Sequence, residues 1–310
     1  MEAIEEQKIP LQARLGQLRA YLFRFRTLDL AGRLFGSAPH PLVLGRPFCG
    51  YRLLVDVSRS NAQRLLFLEG ERFLAERFLL RRLLRPGMRV VDVGANIGYY
   101  LLFLARAVGS EGALCCLEPE PENLTELERN LRHNRIGNAR ILPFAAGSED
   151  SEVSLHPGIN GKVADDGSGS LTVPLRRLDS VLNGPVELIK IDVEGYEGHV
   201  LAGAERLLRE HHPVLFIEVH PAFLAPPTSL DEIFDRLATH YAGVQAYTHS
   251  APGRFLEKLV TRYWLGAGVA RVKDLPGFLA ACREGLWTEP FWVVCDTRKP
   301  ERFQSSPCGS

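Results

Sequence analysis

Three short stretches of the chain carry residue types and spacings that could do chemistry. The first is Val90-Val-Asp-Val-Gly-Ala-Asn-Ile-Gly-Tyr-Tyr100, an apolar run carrying Asp92 that turns through Gly94, Asn96 and Gly98. Glycine lets backbone approach a ligand closely, and a helix opening after the turn offers free N–H groups to a carboxylate or phosphate. The second is Leu188-Ile-Lys-Ile-Asp-Val-Glu-Gly-Tyr-Glu197. Read as a strand of period two, it sets Lys190, Asp192 and Glu194 on one face. Three charges there cannot sit in hydrocarbon, so they must pair, reach the strand end or line a cavity. The third is Phe216-Ile-Glu-Val-His220, with Glu218 and His220 again two apart. Glu118-Pro119 closes a further apolar run, and Ala145-Ala146 closes another.

Several familiar chemistries fail on these residues. A nicotinamide fingerprint needs Gly-x-Gly-x-x-Gly, and counting from Gly94 the three places hold Gly94, Asn96 and Tyr99. No Gly-Lys-Ser/Thr follows, so a Walker A loop is excluded. No Asn/Asp-Pro-Pro-Tyr/Phe stands after Asp192, and the only Pro-Cys, Pro307-Cys308, is at the far end of the chain. The six cysteines, Cys49, Cys115, Cys116, Cys282, Cys295 and Cys308, include no Cys-x-x-Cys and read as structural thiols of a reducing compartment. Asp192, Glu218 and His220 have the oxygen and nitrogen chemistry to hold a divalent ion. No ligand spacing demands one, and no metal is expected.

The glycine turn, Glu118-Pro119, Lys190-Ile-Asp-Val-Glu-Gly-Tyr-Glu197 and Ile217-Glu-Val-His220 together resemble the FkbM family of S-adenosylmethionine-dependent methyltransferases. Leu178-Asp-Ser-Val-Leu182 and Leu201-Ala-Gly-Ala204 add to the likeness, which covers roughly Tyr51 to Pro221. The resemblance implies a Rossmann-like class I methyltransferase fold, S-adenosylmethionine as cofactor, and O-methylation of a small molecule or carbohydrate. It places the methionine part of the cofactor against Gly94, Asn96 and Gly98, with Asp92 holding the loop. Its ribose falls to Glu118, beside Pro119, and its adenine to Ala145 and Ala146. Glu71 resembles a family acidic position and either touches cofactor or caps a helix. The catalytic candidates are His220, Asp192, Glu218 and Lys190. Histidine titrates near working pH, which suits His220 as general base. Asp192 is either the base or the group that orients the acceptor, and His220 either reacts or only hydrogen-bonds at a strand end. Two other readings stay open: a protein or RNA acceptor, and a non-catalytic protein of the same fold.

The elements that must position these residues follow from periodicity. Short apolar runs at 89–93, 113–117, 140–144, 188–191 and 214–219 alternate with helical stretches at 99–108, 122–134, 198–210 and 229–240. That alternation predicts an α/β fold, a mostly parallel central sheet with helices on both faces. Runs at 153–156 and 171–175 predict a hairpin around the polar loop 157–170, whose Asn160, Lys162, Asp165 and Asp166 mark it as an acceptor lid or a surface loop. Late strands are expected at 244–247 and 291–295. A helix at 71–84 stops at Arg85-Pro86-Gly87, which divides the chain into an N-terminal helical and extended segment (1–86), a catalytic domain (87–300) and a polar tail (301–310).

Composition is that of a globular protein, with 310 residues, 45% hydrophobic and 24% charged. The formal net charge is zero, yet residues 1–86 hold 15 Lys+Arg against 8 Asp+Glu and the remainder 22 against 29. The apolar stripe Leu11, Leu15, Leu18, Leu22 and Phe25 makes the basic head amphipathic. It either packs on the core or docks to an anionic membrane face or a protein partner. The later part lacks a basic stripe, so no nucleic acid is expected. The polar, acidic first residues show no secretory leader and no apolar run reaches membrane-spanning length, so a cytoplasmic location is expected. Oligomeric state is not legible.

Overall fold

The computed structural model describes residues 42–43, 51–56, 59, 63, 66, 74–156, 162–163, 169–224, 229–249 and 269–297. The stripe at 11–26, Glu71, Cys49, Cys308, the 301–310 tail and Asn160, Asp165 and Asp166 lie outside the described residues.

The strands are β1 (Leu42–Val43), β2 (Leu54–Val55), β3 (Arg89–Val93), β4 (Ala113–Leu117), β5 (Ala139–Leu142), β6 (Ala145–Ala146), β7 (Ser151–His156), β8 (Lys162–Val163), β9 (Leu171–Arg176), β10 (Leu188–Ile191), β11 (Val214–Val219), β12 (Val244–His249), β13 (Val269–Arg271) and β14 (Phe291–Cys295). The helices are α1 (Leu74–Leu83), α2 (Tyr99–Val108), α3 (Pro121–His133), α4 (Leu178–Val181), α5 (Glu197–Ala202), α6 (Glu205–His211), α7 (Leu230–His240) and α8 (Leu275–Arg283). Eight strands form one sheet in the order β13-β12-β14-β11-β10-β3-β4-β5. The five from β11 to β5 run parallel. β14 is antiparallel to both β11 and β12. From β3 the chain moves outward to β4 and β5, then returns to the other side of β3 as β10. The strand order therefore reverses between β3 and β10, where open α/β sheets form a ligand crevice at their carboxyl edge.

Alternating residues of each strand feed two separate cores, which is why these strands read as unbroken apolar runs. Val90, Leu188 and Phe216 join Leu79 of α1, Leu101 of α2 and Leu127 of α3 on one face. Val91, Ile189 and Leu215 join Leu201 of α5, Leu207 of α6 and Leu237 of α7 on the other. The structure thus has the Rossmann-like, doubly wound α/β arrangement expected, and no helix among the described residues is long and apolar enough to cross a membrane. The expected hairpin exists as antiparallel β7 and β9, within a second sheet ordered β6-β9-β7-β8.

Two expectations need correction. The run expected at 140–144 ends at Leu142 as β5, and Ala145–Ala146 form β6 in a different sheet. The helix expected at 198–210 is broken into α5 and α6 at Gly203, where a Cβ would lie 1.8 Å from the Gly147 carbonyl oxygen. Asp179 then caps the second piece, accepting from the backbone N–H groups of Arg206 (2.7 Å) and Leu207 (3.0 Å). Helix α8 lies outside the elements expected from periodicity. Its proline is tolerated in the first helical turn, and Asp274 caps it by accepting from the N–H of Gly277.

One buried residue of α3 ties β2 to the glycine turn. The Asn130 amide donates to the carbonyls of Ile97 (2.7 Å) and Leu54 (3.2 Å) and accepts from the N–H of Leu54 (2.7 Å). Asn130→Ala should lower unfolding free energy by about 2–3 kcal/mol, since it strands buried backbone partners. Denaturant unfolding measures this, and a loss below about 0.5 kcal/mol would contradict it.

Candidate functional site

The carboxyl ends of β3, β4 and β10, with strand β6, enclose an open cleft. Of the residues singled out from sequence, Gly94, Glu118, Pro119, Ala145, Ala146 and Asp192 line it together. Val163, Val193 and Tyr196 join them, so the loop after β7 does reach the cleft, at Val163. Asp92 and Gly98 lie behind this wall. Gly98, at φ 91°, begins α2 without a side-chain cap, and a Cβ there would lie 2.8 Å from Leu127 of α3. Gly94, at φ 82°, faces β10 so closely that a Cβ would fall 1.9 Å from the carbonyl oxygen of Asp192. Its glycine is required by strand packing and positive φ together.

Glu118 is 4% exposed. Its Oε2 accepts from the N–H of Asn96 (2.8 Å), and its Oε1 accepts from the N–H of Glu120 (3.0 Å) and the Asn123 amide (3.1 Å). Burial outweighs these hydrogen bonds and pushes the carboxyl up to about 7. Asn96, at φ 51°, therefore serves the site through its backbone.

The floor beside the cleft is a buried charge network. Parallel register sets Lys190 of β10 directly beside Asp92 of β3, so both side chains point to the α2 face. Lys190 Nζ lies 3.1 Å from Asp92 and 3.5 Å from Asp192, and Lys190 and Asp92 are each only 1% exposed. The ammonium also sits over the Tyr100 ring, 4.6 Å from its centroid. Burial pulls Lys190 down, but Asp92 and Asp192 more than offset it and raise it to about 12. Burial pushes the Asp92 carboxyl up against the pull of Lys190. Glu218 is raised well above the usual carboxylate range by burial, by Asp192 and by Glu76, a buried residue of α1.

His220 follows β11 and is 5% exposed. Its Nδ1 lies 2.9 Å from Oε1 of Glu197, a fully buried residue at the start of α5, and its Nε2 lies 3.6 Å from Oε2 of Glu194. The same Glu197 oxygen accepts from the N–H of Gly195. Burial lowers the imidazole pKa, but the hydrogen bond to Glu197 and the charges of Asp192, Glu197 and Glu194 raise it to about 9. Glu194 does not continue the β10 face: the strand ends at Ile191, and Glu194 (φ 54°) and Gly195 (φ 105°) form a turn. That turn returns Glu194 toward Asp192 and His220. Glu194 and Glu197 were not among the residues marked as catalytic, although both stand in the quoted Lys-Ile-Asp-Val-Glu-Gly-Tyr-Glu segment.

The model of the methyltransferase FkbM domain matches residues 92–243. Among curated relatives, the hexuronic acid methyltransferase AglP of Haloferax volcanii is 28% identical over 136 residues, 42% of this chain and 54% of that protein. The tRNA (adenine(58)-N(1))-methyltransferase TrmI of Thermus thermophilus is 49% identical over 49 residues, 16% of this chain and 19% of that protein. The chain thus spans about half or less of the length of these two relatives. Among solved structures, an FkbM methyltransferase from Methylobacillus flagellatus is similar at 18% identity with TM-score 0.42, covering 84% of this chain and 61% of that one.

Proposed function

Because residues 92–243 are a methyltransferase domain of the FkbM family, we propose that the chain methylates a hydroxyl oxygen of a small molecule or carbohydrate with S-adenosylmethionine. The observation that carries this reading is a single cleft running from Glu118 and Ala145-Ala146 past Gly94 to Asp192, with Glu194 and His220 beside its far end. Glu118 suits a ribose. Each carboxylate oxygen has about two lone-pair sites, and Oε2 uses one of them on Asn96. Ala145 and Ala146 leave a flat wall for adenine.

S-adenosylmethionine supplies a methyl group already activated on a sulfonium, so the protein's task is alignment and removal of a proton. Alignment alone can supply about 7–11 kcal/mol at ideal geometry. Asp192 receives the acceptor hydroxyl at the end of β10, and the hydroxyl proton passes into the carboxylate cluster that Asp192 heads. Lys190 holds Asp192 from below, and Glu197 fixes the His220 ring beside it. The likeness to a hexuronic acid methyltransferase supports a carbohydrate acceptor. A nucleic-acid acceptor is the second reading, favoured by the short likeness to a tRNA methyltransferase. Incubation with methyl-labelled S-adenosylmethionine and hydroxylated sugars, uronic acids or tRNA, read by mass spectrometry, separates the two. Label on a sugar oxygen is expected, and label on a base would overturn the O-methylation reading.

The Glu118 carboxyl gives a pH test. Ribose hydroxyls donate to the ionised carboxylate, so binding draws on the deprotonated form. Affinity for S-adenosylhomocysteine should rise with pH until about 7, falling roughly tenfold per unit below that and flattening above it. Calorimetry from pH 5.5 to 8.5 measures this. Glu118→Gln should bind more weakly and lose the slope, and a parent affinity flat across the range would remove the assignment.

A further inference from the structure

We propose that Asp192, Glu194 and His220 form a divalent-cation site at the acceptor end of the cleft. Among the described residues these three form the group whose ligand atoms, two carboxylate oxygens and one imidazole nitrogen, all lie within 4.8 Å of one another. Around an octahedral ion with ligands at about 2.0–2.1 Å, neighbouring ligand atoms are roughly 3.0 Å apart and opposite ones roughly 4.2 Å. The 3.6 Å from His220 Nε2 to Glu194 Oε2 is too long for a hydrogen bond, and it falls between those two separations.

The second observation is how His220 is held. The ring is 5% exposed, and its Nδ1–H donates to the fully buried carboxylate of Glu197 at 2.9 Å. A carboxylate on one imidazole nitrogen orients the ring and aims the other nitrogen outward, the arrangement that supports metal-ligating histidines, and a bound cation would replace the Nε2 proton. Here the outward nitrogen is Nε2, and it faces Asp192 and Glu194. The local charge also suits a cation. Lys190 is shared between Asp92 and Asp192, while Glu194 and Glu197 add two further carboxylates. One imidazole with two carboxylates suits manganese or a similar first-row ion better than calcium. A cation there would coordinate an acceptor oxygen and ease loss of its proton. That consequence rests on the proposed methyl transfer, whereas cation binding does not.

The probe is Mn²⁺, titrated into the full chain after chelator treatment and removal of the chelator. The loss of the free-ion electron paramagnetic resonance signal is followed. One site per chain is expected, weakened at least tenfold in Asp192→Asn and Glu194→Gln, and about tenfold in Glu197→Gln through release of the ring. Glu128→Gln, an exposed change on α3, should bind as the parent does. Thermal unfolding of each variant identifies those that fail to fold, and those are set aside in favour of the others. No uptake by the parent at millimolar Mn²⁺, or equal affinity in the parent and a folded Glu194→Gln, overturns the site. A parent that takes Mn²⁺ but not S-adenosylhomocysteine would sink the methyltransferase reading and leave the cation site standing.

Discussion

Gly94→Ala should abolish measurable S-adenosylhomocysteine binding and lower unfolding free energy by about 2–5 kcal/mol. Two effects add. The backbone there has φ 82°, which costs an L side chain roughly 1–2 kcal/mol. The new methyl would also stand 1.9 Å from the carbonyl oxygen of Asp192, a backbone atom that cannot swing away. Relief requires β3 and β10 to separate at the point where the cleft opens, and this moves Asp192 and the Gly94 turn together. Gly109→Ala is the matched control. Its φ is 68°, and nothing lies within 4 Å of the added methyl. With ψ at −172°, a glycine-favoured region, it should cost about 1–3 kcal/mol and leave ligand binding intact. Denaturant unfolding with calorimetry reads both variants. Parent-like affinity in a folded Gly94→Ala protein would show that the turn is not part of the binding wall.

Lys190→Met carries the second large effect, an expected loss of about 3–5 kcal/mol, because it leaves the Asp92 charge buried without its counter-ion. Both partners are 1% exposed, so water cannot replace the lost ammonium. The pair as a whole is a different matter, since a buried ion pair replaced by uncharged groups is often close to neutral. Lys190→Met combined with Asp92→Asn should therefore recover at least about 2 kcal/mol relative to Lys190→Met alone, a coupling of the size seen for contacting residues. Strictly additive losses would mean that the 3.1 Å contact carries no energetic coupling. Activity is not expected to recover with stability, because Asp192 loses the same support.

The strands that carry the site could be read from sequence because β3, β10 and β11 are buried on both faces. Such strands appear as short apolar runs whose polar residues fall near their carboxyl ends. Asp192, Glu118 and His220 stood out for that reason. What sequence hid depends on contacts between distant segments. The pairing of Glu197 with His220 spans 23 residues and needs β10 and β11 in register with α5 starting at Glu197. Glu194 was assigned to a strand face because period two extends smoothly through it, but the strand ends three residues earlier and a positive φ redirects the chain. Gly203 breaks a helix because of the Gly147 carbonyl, a neighbour with no trace in local sequence. Asn130 looks like any polar residue of an amphipathic helix until its amide is seen holding the Ile97 carbonyl. The role of the basic N-terminal stripe, including any membrane or protein docking, is a separate proposal that rests on its charge and periodicity.

The central claim is that Gly94, Glu118, Ala145, Ala146 and Asp192 enclose a nucleoside-thioether site. Titration calorimetry of the full chain with S-adenosylhomocysteine at pH 8 tests it most directly, with adenosine and methionine as separate comparison ligands. The account predicts one site per chain in the micromolar range, with each fragment binding far more weakly. Absence of binding at millimolar S-adenosylhomocysteine by a folded protein would contradict it.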